Sequence, residues 1–309
     1  MPSCCFNAGR KFWGVIDNMN EPTIFEAHSS YVLGMLFTSD NQTLVSAGMD
    51  KVVKLWSVPD WRLVRTFQGH AHSISSISLS PDGRTLATGS TDTTVKLWAF
   101  PSGQVTRTLQ DRKKVVSTVQ ISSDGKLVAA GSYGGRATIW TISGELVVNI
   151  QASKKNLSWV TLSPDGKTLA TAGHGDDIQL WSLPSGEQIG TLAGHKTAVM
   201  ALTFINGGRD LVSLGYEQSI KFWDTATWRE VRTVRSNLPG ARGLAFSPTE
   251  ELAAVSLEGK VLLWSVKDWT LQREFPVSTK VVNGMAFSSD GHWLAVGAAD
   301  KKIRVWELP

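Results

Sequence analysis

Apolar and polar residues alternate along most of this chain in runs of five to eight positions, and clusters of Asp, Gly, Pro and Ser separate the runs. Alternation of period two puts one face of a strand against a core and the other toward polar surroundings. The stretches SISSISLS, VVSTVQIS, AVMALTFI and VVNGMAFS have this character. After such a stretch come a turn and a short apolar run, as in SPDGRTLATGS (80–90), SPDGKTLATAG (163–173) and SSDGHWLAVGA (288–298). A third run closes on tryptophan: VVKLW, TVKLW, RATIW, DIQLW, SIKFW, KVLLW and KIRVW. The phrases RLVRTFQGH, QVTRTLQ, EQIGTLAGH and EVRTVR supply a fourth. No segment carries helical spacing.

The closing tryptophans are Trp56, Trp98, Trp140, Trp181, Trp223, Trp264 and Trp306, spaced 41 or 42 residues apart. Four strands in each of seven periods predict an all-β fold of four-stranded antiparallel sheets repeated radially. A single such sheet cannot cover its own apolar faces, so neighbours must stack, and a closed ring leaves no long bare edge.

The period, the Gly69-His70 and Gly194-His195 pairs and the Trp ending each third strand resemble the WD-repeat (WD40) β-propeller family, over residues 22–309. The Trp-Asp dipeptide itself survives only at Trp223-Asp224. The resemblance implies a seven-bladed β-propeller. It also implies closure by an N-terminal strand: Pro22-Thr-Ile-Phe-Glu-Ala-His28 matches RTFQGH and would supply the strand that the last blade lacks. A further implication is a hydrogen-bonded network of His, Ser or Thr, Asp and Trp within a blade. Such linkage satisfies a buried indole N–H and imidazole together. By position this assigns His28, Ser46, Asp50 and Trp56 in the first repeat, and His70, Thr88, Asp92 and Trp98 in the second. The fifth has His195, Ser213 and Trp223, but Glu217 where Asp is usual. The third has Arg112 and Gly134 in the His and Asp columns; Ser153, Ser236 and Ser278 stand near the His column of the fourth, sixth and seventh, with Asp300 kept in the last. The network is therefore expected intact in two repeats, with apolar stacking carrying the third, fourth and sixth.

Composition adds little that conflicts. Of 309 residues 42% are hydrophobic and 19% charged, as in ordinary globular chains, and the formal net charge of +4 permits acidic partners without requiring nucleic acid. The two cysteines, Cys4 and Cys5, are adjacent and can staple nothing in the body of the chain. With no signal-like or membrane-spanning apolar run, a cytoplasmic setting is expected, with no membrane partner. Residues 1–20 form an extension to the propeller of 21–309. Lys11-Phe12-Trp13 repeats the Lys221-Phe222-Trp223 phrase 43 residues before Trp56, as would the tail of a preceding repeat in a longer parent, although a chance match in an extension reads the same.

Several local patterns imitate catalytic motifs. Ala130-Gly-Ser132-Tyr-Gly134 resembles a nucleophile elbow, but its column is a strand-to-strand turn in the other repeats. His70 and His72 lack a third ligand, and His174-Gly-Asp176-Asp177 is another turn. No catalytic residue, metal, cofactor or small-molecule substrate is expected.

Partners are expected to be proteins or peptides. In the resembled family, loops entering the first strand and turns between second and third strands share one rim, here called the top. Carried over by column, the turn position is Met49, Thr91, Tyr133, His174, Tyr216, Leu257 and Ala299. The inward column of the first strand is Leu33, Ser75, Ser117, Ser158, Met200, Arg242 and Asn283. The candidate surface comprises Tyr31, Leu33, Met49, Tyr133, His174, Met200, Tyr216 and Arg242, since aromatic, Met and Arg side chains are typical anchors. A basic rim of Arg112, Lys113, Lys114, Lys154, Lys155 and Lys196 surrounds it and suits an acidic or phosphorylated segment. A nucleic-acid ligand on that sector, or a role as the C-terminal sensor of a larger signalling protein, are the alternative readings. On the opposite face Trp61, Trp228 and Trp269 either cap sheet edges or form a second contact surface.

Overall fold

Four hairpins show how short polar phrases punctuate the strands. In Ser80-Pro-Asp-Gly83, Ser80 Oγ donates to Asp82 Oδ1 at 2.5 Å, the Arg84 N–H donates to the same carboxylate oxygen at 3.0 Å, and the Thr85 N–H returns to Ser80 Oγ at 2.9 Å. Gly83 completes the turn at φ +67°, where any Cβ is disfavoured. Ser122 with Asp124, Ser163 with Asp165 and Ser288 with Asp290 repeat the arrangement.

A computed structural model describes residues 21–110, 113–175, 177–217, 219–235 and 240–308. The expected remnant of a preceding repeat in residues 1–20 lies outside them. Among the described residues the structure is all-β apart from a single 3-10 turn at Asn206–Gly208, and no helix is long and apolar enough to cross a membrane.

The strands make five separate four-stranded antiparallel sheets and one of seven strands. In the first repeat the order is Val32–Phe37, Thr43–Gly48, Val53–Ser57, Leu63–Phe67, and the next four repeats follow the same meander. The seven-stranded sheet arises because Leu271–Phe287 is continuous: its first part pairs with Glu258–Ser265 and its second with Trp293–Ala298. Thr23–Glu26 completes this sheet by pairing antiparallel with Lys302–Glu307, Thr23 opposite Val305 and Glu26 opposite Lys302.

Each sheet is buried against the next. Val45, Val53, Leu55 and Phe67 of the first repeat share a cluster with Ile74, Leu86 and Trp98 of the second. Ala27, Val32, Met35 and Trp56 likewise cluster with Ala286, Ala295, Ile303 and Val305 of the last repeat. Glycine in the second strand permits this approach: a Cβ on Gly89 would stand 2.7 Å from the Val116 side chain, and one on Gly297 would stand 2.5 Å from that of Val32. Burying alternate residues on both faces of every sheet supplies the apolar area that drives folding.

Candidate functional site

Among the described residues, three repeats carry a complete internal network. His28 Nε2 is 2.8 Å from Ser46 Oγ, Nδ1 is 2.8 Å from Asp50, and Trp56 Nε1 donates to Ser46 Oγ at 2.8 Å. His70, Thr88, Asp92 and Trp98 repeat this at 2.6, 2.7 and 2.9 Å. In the fifth repeat His195 pairs with Glu217, and Ser213 joins His195 at 2.6 Å to Trp223 at 2.9 Å. Expecting only two intact networks underrated the fifth. The extra methylene of Glu217 is accommodated because Thr197 and Ser219 also donate to its carboxylate. Burial pushes the His70 and His195 pKa values down, partly offset by their carboxylate partners. Burial also raises the Asp92 and Glu217 carboxyls, but hydrogen bonds outweigh it and hold each at about 2.

Elsewhere the network thins in a graded way. Trp181 keeps a hydroxyl partner, Thr171, at 3.0 Å. In the sixth repeat, where Trp264 stands opposite Ala253, Val255 occupies that column, and the buried Trp264 indole N–H has no partner among the described residues. Trp98→Phe should therefore cost about 1–3 kcal/mol more than Trp264→Phe, because only the first removes a buried hydrogen bond, that of Trp98 Nε1 to Thr88 Oγ1. Denaturant titration of both variants measures the difference; equal losses would mean the networks contribute nothing specific.

The turn column shares one backbone geometry. The N–H groups of Met49, Thr91, Tyr133, His174, Tyr216 and Ala299 each donate to a carbonyl in the segment entering their own sheet: Tyr31, Ser73, Val115, Asn156, Ala198 and Val281, at 2.8–3.2 Å. Tyr133 and Tyr216 are 45% and 48% exposed, Met49 and Tyr31 both 40%, and His174 is also exposed. Leu257 departs from the column. Its N–H bonds to Lys260 O and its side chain is buried, because the sixth turn is one residue shorter than the others.

The inward column falls at a β-bulge in six repeats. The register skips Leu33, Ser75, Ser117, Ser158, Met200 and Asn283. A bulge re-aims the side chain it carries. Ser75 Oγ reaches Val116 O at 2.6 Å and Ser158 Oγ reaches Val199 O at 2.7 Å, so these serines stitch one sheet to the next. Leu33 is half-buried, and Met200 packs partly against the core shared by the fifth and sixth repeats. Arg242 is exposed.

The lysine loops abut the aromatic turns. The Lys114 stem lies along Gly134, next to Tyr133, and Lys155 Nζ is 3.5 Å from Gly175 O, next to His174. Lys113, Lys154 and Lys196 are exposed beside them. Arg112, Asp176 and Ser236 lie outside the described residues.

On the opposite side the turn tryptophans are structural. Trp61, Trp228 and Trp269 have φ +55°, +55° and +56°, and each N–H closes the turn onto Ser57, Asp224 or Ser265. Gly103 and Gly186 hold the same place in the second and fourth repeats. Trp61 and Trp269 are buried, Trp61 against Phe25 and Trp293 and Trp269 against Phe222. Trp228 is half-buried. A second contact surface built on these three rings is not supported by such packing.

Sheets of this architecture, with the His–Asp and Trp network inside them, define the WD-repeat class. The chain belongs to that family: the model for the WD domain, G-beta repeat, matches residues 20–57, 61–99, 103–141, 144–182, 186–224 and 269–307. The unmatched stretch 225–268 holds the first three strands of the sixth repeat, with its shortened turn and an indole that has no partner among the described residues. Among similar proteins, pre-mRNA-processing factor 17 of Homo sapiens is 26% identical over 122 residues, 38% of this chain and 21% of that protein. A target of rapamycin complex subunit of Schizosaccharomyces pombe is 29% identical over 100 residues, 32% of each. Apoptotic protease-activating factor 1 of Rattus norvegicus is 27% identical over 129 residues, 41% of this chain and 10% of that protein. The matches thus span a third or less of these relatives.

Proposed function

We propose that this chain is a non-enzymatic interaction module, a closed seven-bladed propeller that docks a protein partner on the top rim of its third to fifth repeats. The observation that carries this reading is the common backbone geometry of the turn column, which presents Tyr133, His174 and Tyr216 from consecutive repeats with lysines against the same turns. Exposed aromatic anchors ringed by cations suit an apolar segment that also carries acidic or phosphorylated residues. Closure of the ring is supported by the pairing of Thr23–Glu26 with the last strand and by the shared core of first and last repeats. Membership in the family supports a binding role, as does similarity to proteins whose names place them in pre-mRNA processing and in a target of rapamycin complex.

The test is affinity capture with the wild-type chain and a Tyr133→Ala/Tyr216→Ala variant, followed by binding measurements on the retained partner. Binding should fall at least a hundredfold in the variant with the melting temperature unchanged, since neither ring is in a core. Undiminished binding would refute the top-rim reading.

A further inference from the structure

A cleft of about 320 Å³ opens at the top edge of the fifth repeat, between the Gly194-His195-Lys196 loop, the Glu217 turn and the two outer strands. Lys196, Lys221, Arg235, Glu217, Ser219 and Thr233 line it. Of the three cations, Lys221 is already engaged, 2.7 Å from Glu230 and 3.0 Å from Thr233 Oγ1. Neither Lys196 nor Arg235 has an ion-pair partner among the described residues, and both are exposed. The carboxylate of Glu217 is turned to the network, accepting from Ser219 at 2.6 Å and also from Thr197 and His195.

The same template in the second repeat shows what has changed. There Ala71 stands for Lys196, Asp92 for Glu217, Thr94 for Ser219, Lys96 for Lys221 and Gln110 for Arg235, with Lys96 Nζ again 3.0 Å from a threonine hydroxyl. Two neutral positions have thus become cations at one edge, and only in this repeat. A backbone difference accompanies them. The Ser29 and Ala71 N–H groups donate to Asp50 and Asp92 at 2.9 and 3.0 Å. The corresponding Lys196 N–H makes no such bond to Glu217, whose longer side chain is occupied by Thr197 and Ser219. An amide donor is therefore released in the loop that lines the cleft, which Lys196 and Arg235 also line.

We infer that this cleft binds a phosphate monoester, the phosphorylated serine or threonine of a docked partner, with Lys196 and Arg235 holding the phosphoryl oxygens and the Lys196 N–H contributing a further donor. The inference rests on the proposed top-rim docking and assigns its phosphate-specific subsite. A phosphoryl group needs several donors from different directions, and a guanidinium, an ammonium and a backbone N–H supply them. The volume admits a phosphorylated side chain.

The full chain, without partner, is titrated calorimetrically with inorganic phosphate, O-phosphoserine and glutamate. Phosphate and O-phosphoserine should compete for one site, and glutamate should bind at least tenfold more weakly. Lys196→Gln/Arg235→Gln should weaken O-phosphoserine at least tenfold. Glu217→Asp, which restores an acceptor for the Lys196 N–H, should weaken it severalfold, while Lys51→Gln leaves it unchanged. Equal affinity in the double variant, equal affinity for glutamate, or no binding at millimolar ligand would each overturn the assignment. The tyrosine pair keeps the two readings apart: Tyr133→Ala/Tyr216→Ala should leave O-phosphoserine affinity unchanged even where partner binding is lost.

Discussion

Removing residues 1–28 should all but unfold the protein, whereas removing residues 1–19 should leave its melting temperature nearly unchanged. The longer deletion takes away Thr23–Glu26 and so bares the edge of Lys302–Glu307, whose four paired residues lose their antiparallel partner. It also removes Phe25, whose ring lies 4.8 Å from that of Trp56, and Ala27, which is buried. His28 goes too, leaving Ser46 and Asp50 without the imidazole that joined them. A lost phenylalanine contact of this kind costs about 3 kcal/mol, and stranded buried polar groups about 1–3 kcal/mol more. Against a total stability of about 5–15 kcal/mol for a typical domain, that removes much or most of the margin. Indistinguishable melting of the two truncations would mean that the last sheet does not depend on the N-terminal strand.

Asp92→Ala should be the most damaging single substitution in the networks, costing about 3 kcal/mol or more. Asp92 accepts from His70 at 2.7 Å, from the Ala71 N–H at 3.0 Å and from the Thr94 hydroxyl at 2.6 Å, so its loss strands donors on three residues. The same contacts make the fold acid-sensitive. Asp92 and Glu217 sit at about 2 when folded, against ordinary values of 3.8 and 4.5. A carboxylate depressed by folding stabilises the native state above its unfolded pKa, and that contribution fades as pH falls toward the folded value. Stability should thus decline between about pH 4.5 and 2. His70 and His195, lowered from 6.5, begin the same trend at higher pH, because the unfolded chain protonates first. Denaturant midpoints measured across this range should fall steeply for the wild type and less for Asp92→Asn. Parallel curves would show that Asp92 titrates alike in both states.

Much of this architecture is legible in the chain because one physical unit recurs. Alternation of period two sets strand faces, Ser-x-Asp-Gly phrases set hairpins, and Trp at 41 or 42 residues sets the repeat. What escapes is decided by contacts across repeats or by single-residue changes in length. The continuous strand Leu271–Phe287 has no turn phrase to interrupt it, but its division between two partners is visible only in the pairing. Leu257 leaves the exposed column because one missing turn residue draws it into the core. The serines of the inward column carry no sign in the sequence of a partner, yet the bulges turn two of them onto the neighbouring sheet. Glu217 looks like a degraded Asp, and only Thr197 and Ser219 show how its extra length is used. Trp61, Trp228 and Trp269 resemble surface anchors by spacing, while their positive φ marks them as the closing residues of turns that elsewhere use glycine.

Hydrogen exchange on the chain with its captured partner, against the chain alone, tests the central claim most directly. Docking on the top rim predicts protection at the Tyr133, His174 and Tyr216 turns and at the Lys113–Lys114, Lys154–Lys155 and Lys196 loops. The turns holding Trp61, Trp228 and Trp269 should exchange as they do in the free chain. Protection confined to those three tryptophan turns, with the tyrosine turns unchanged, would contradict the account.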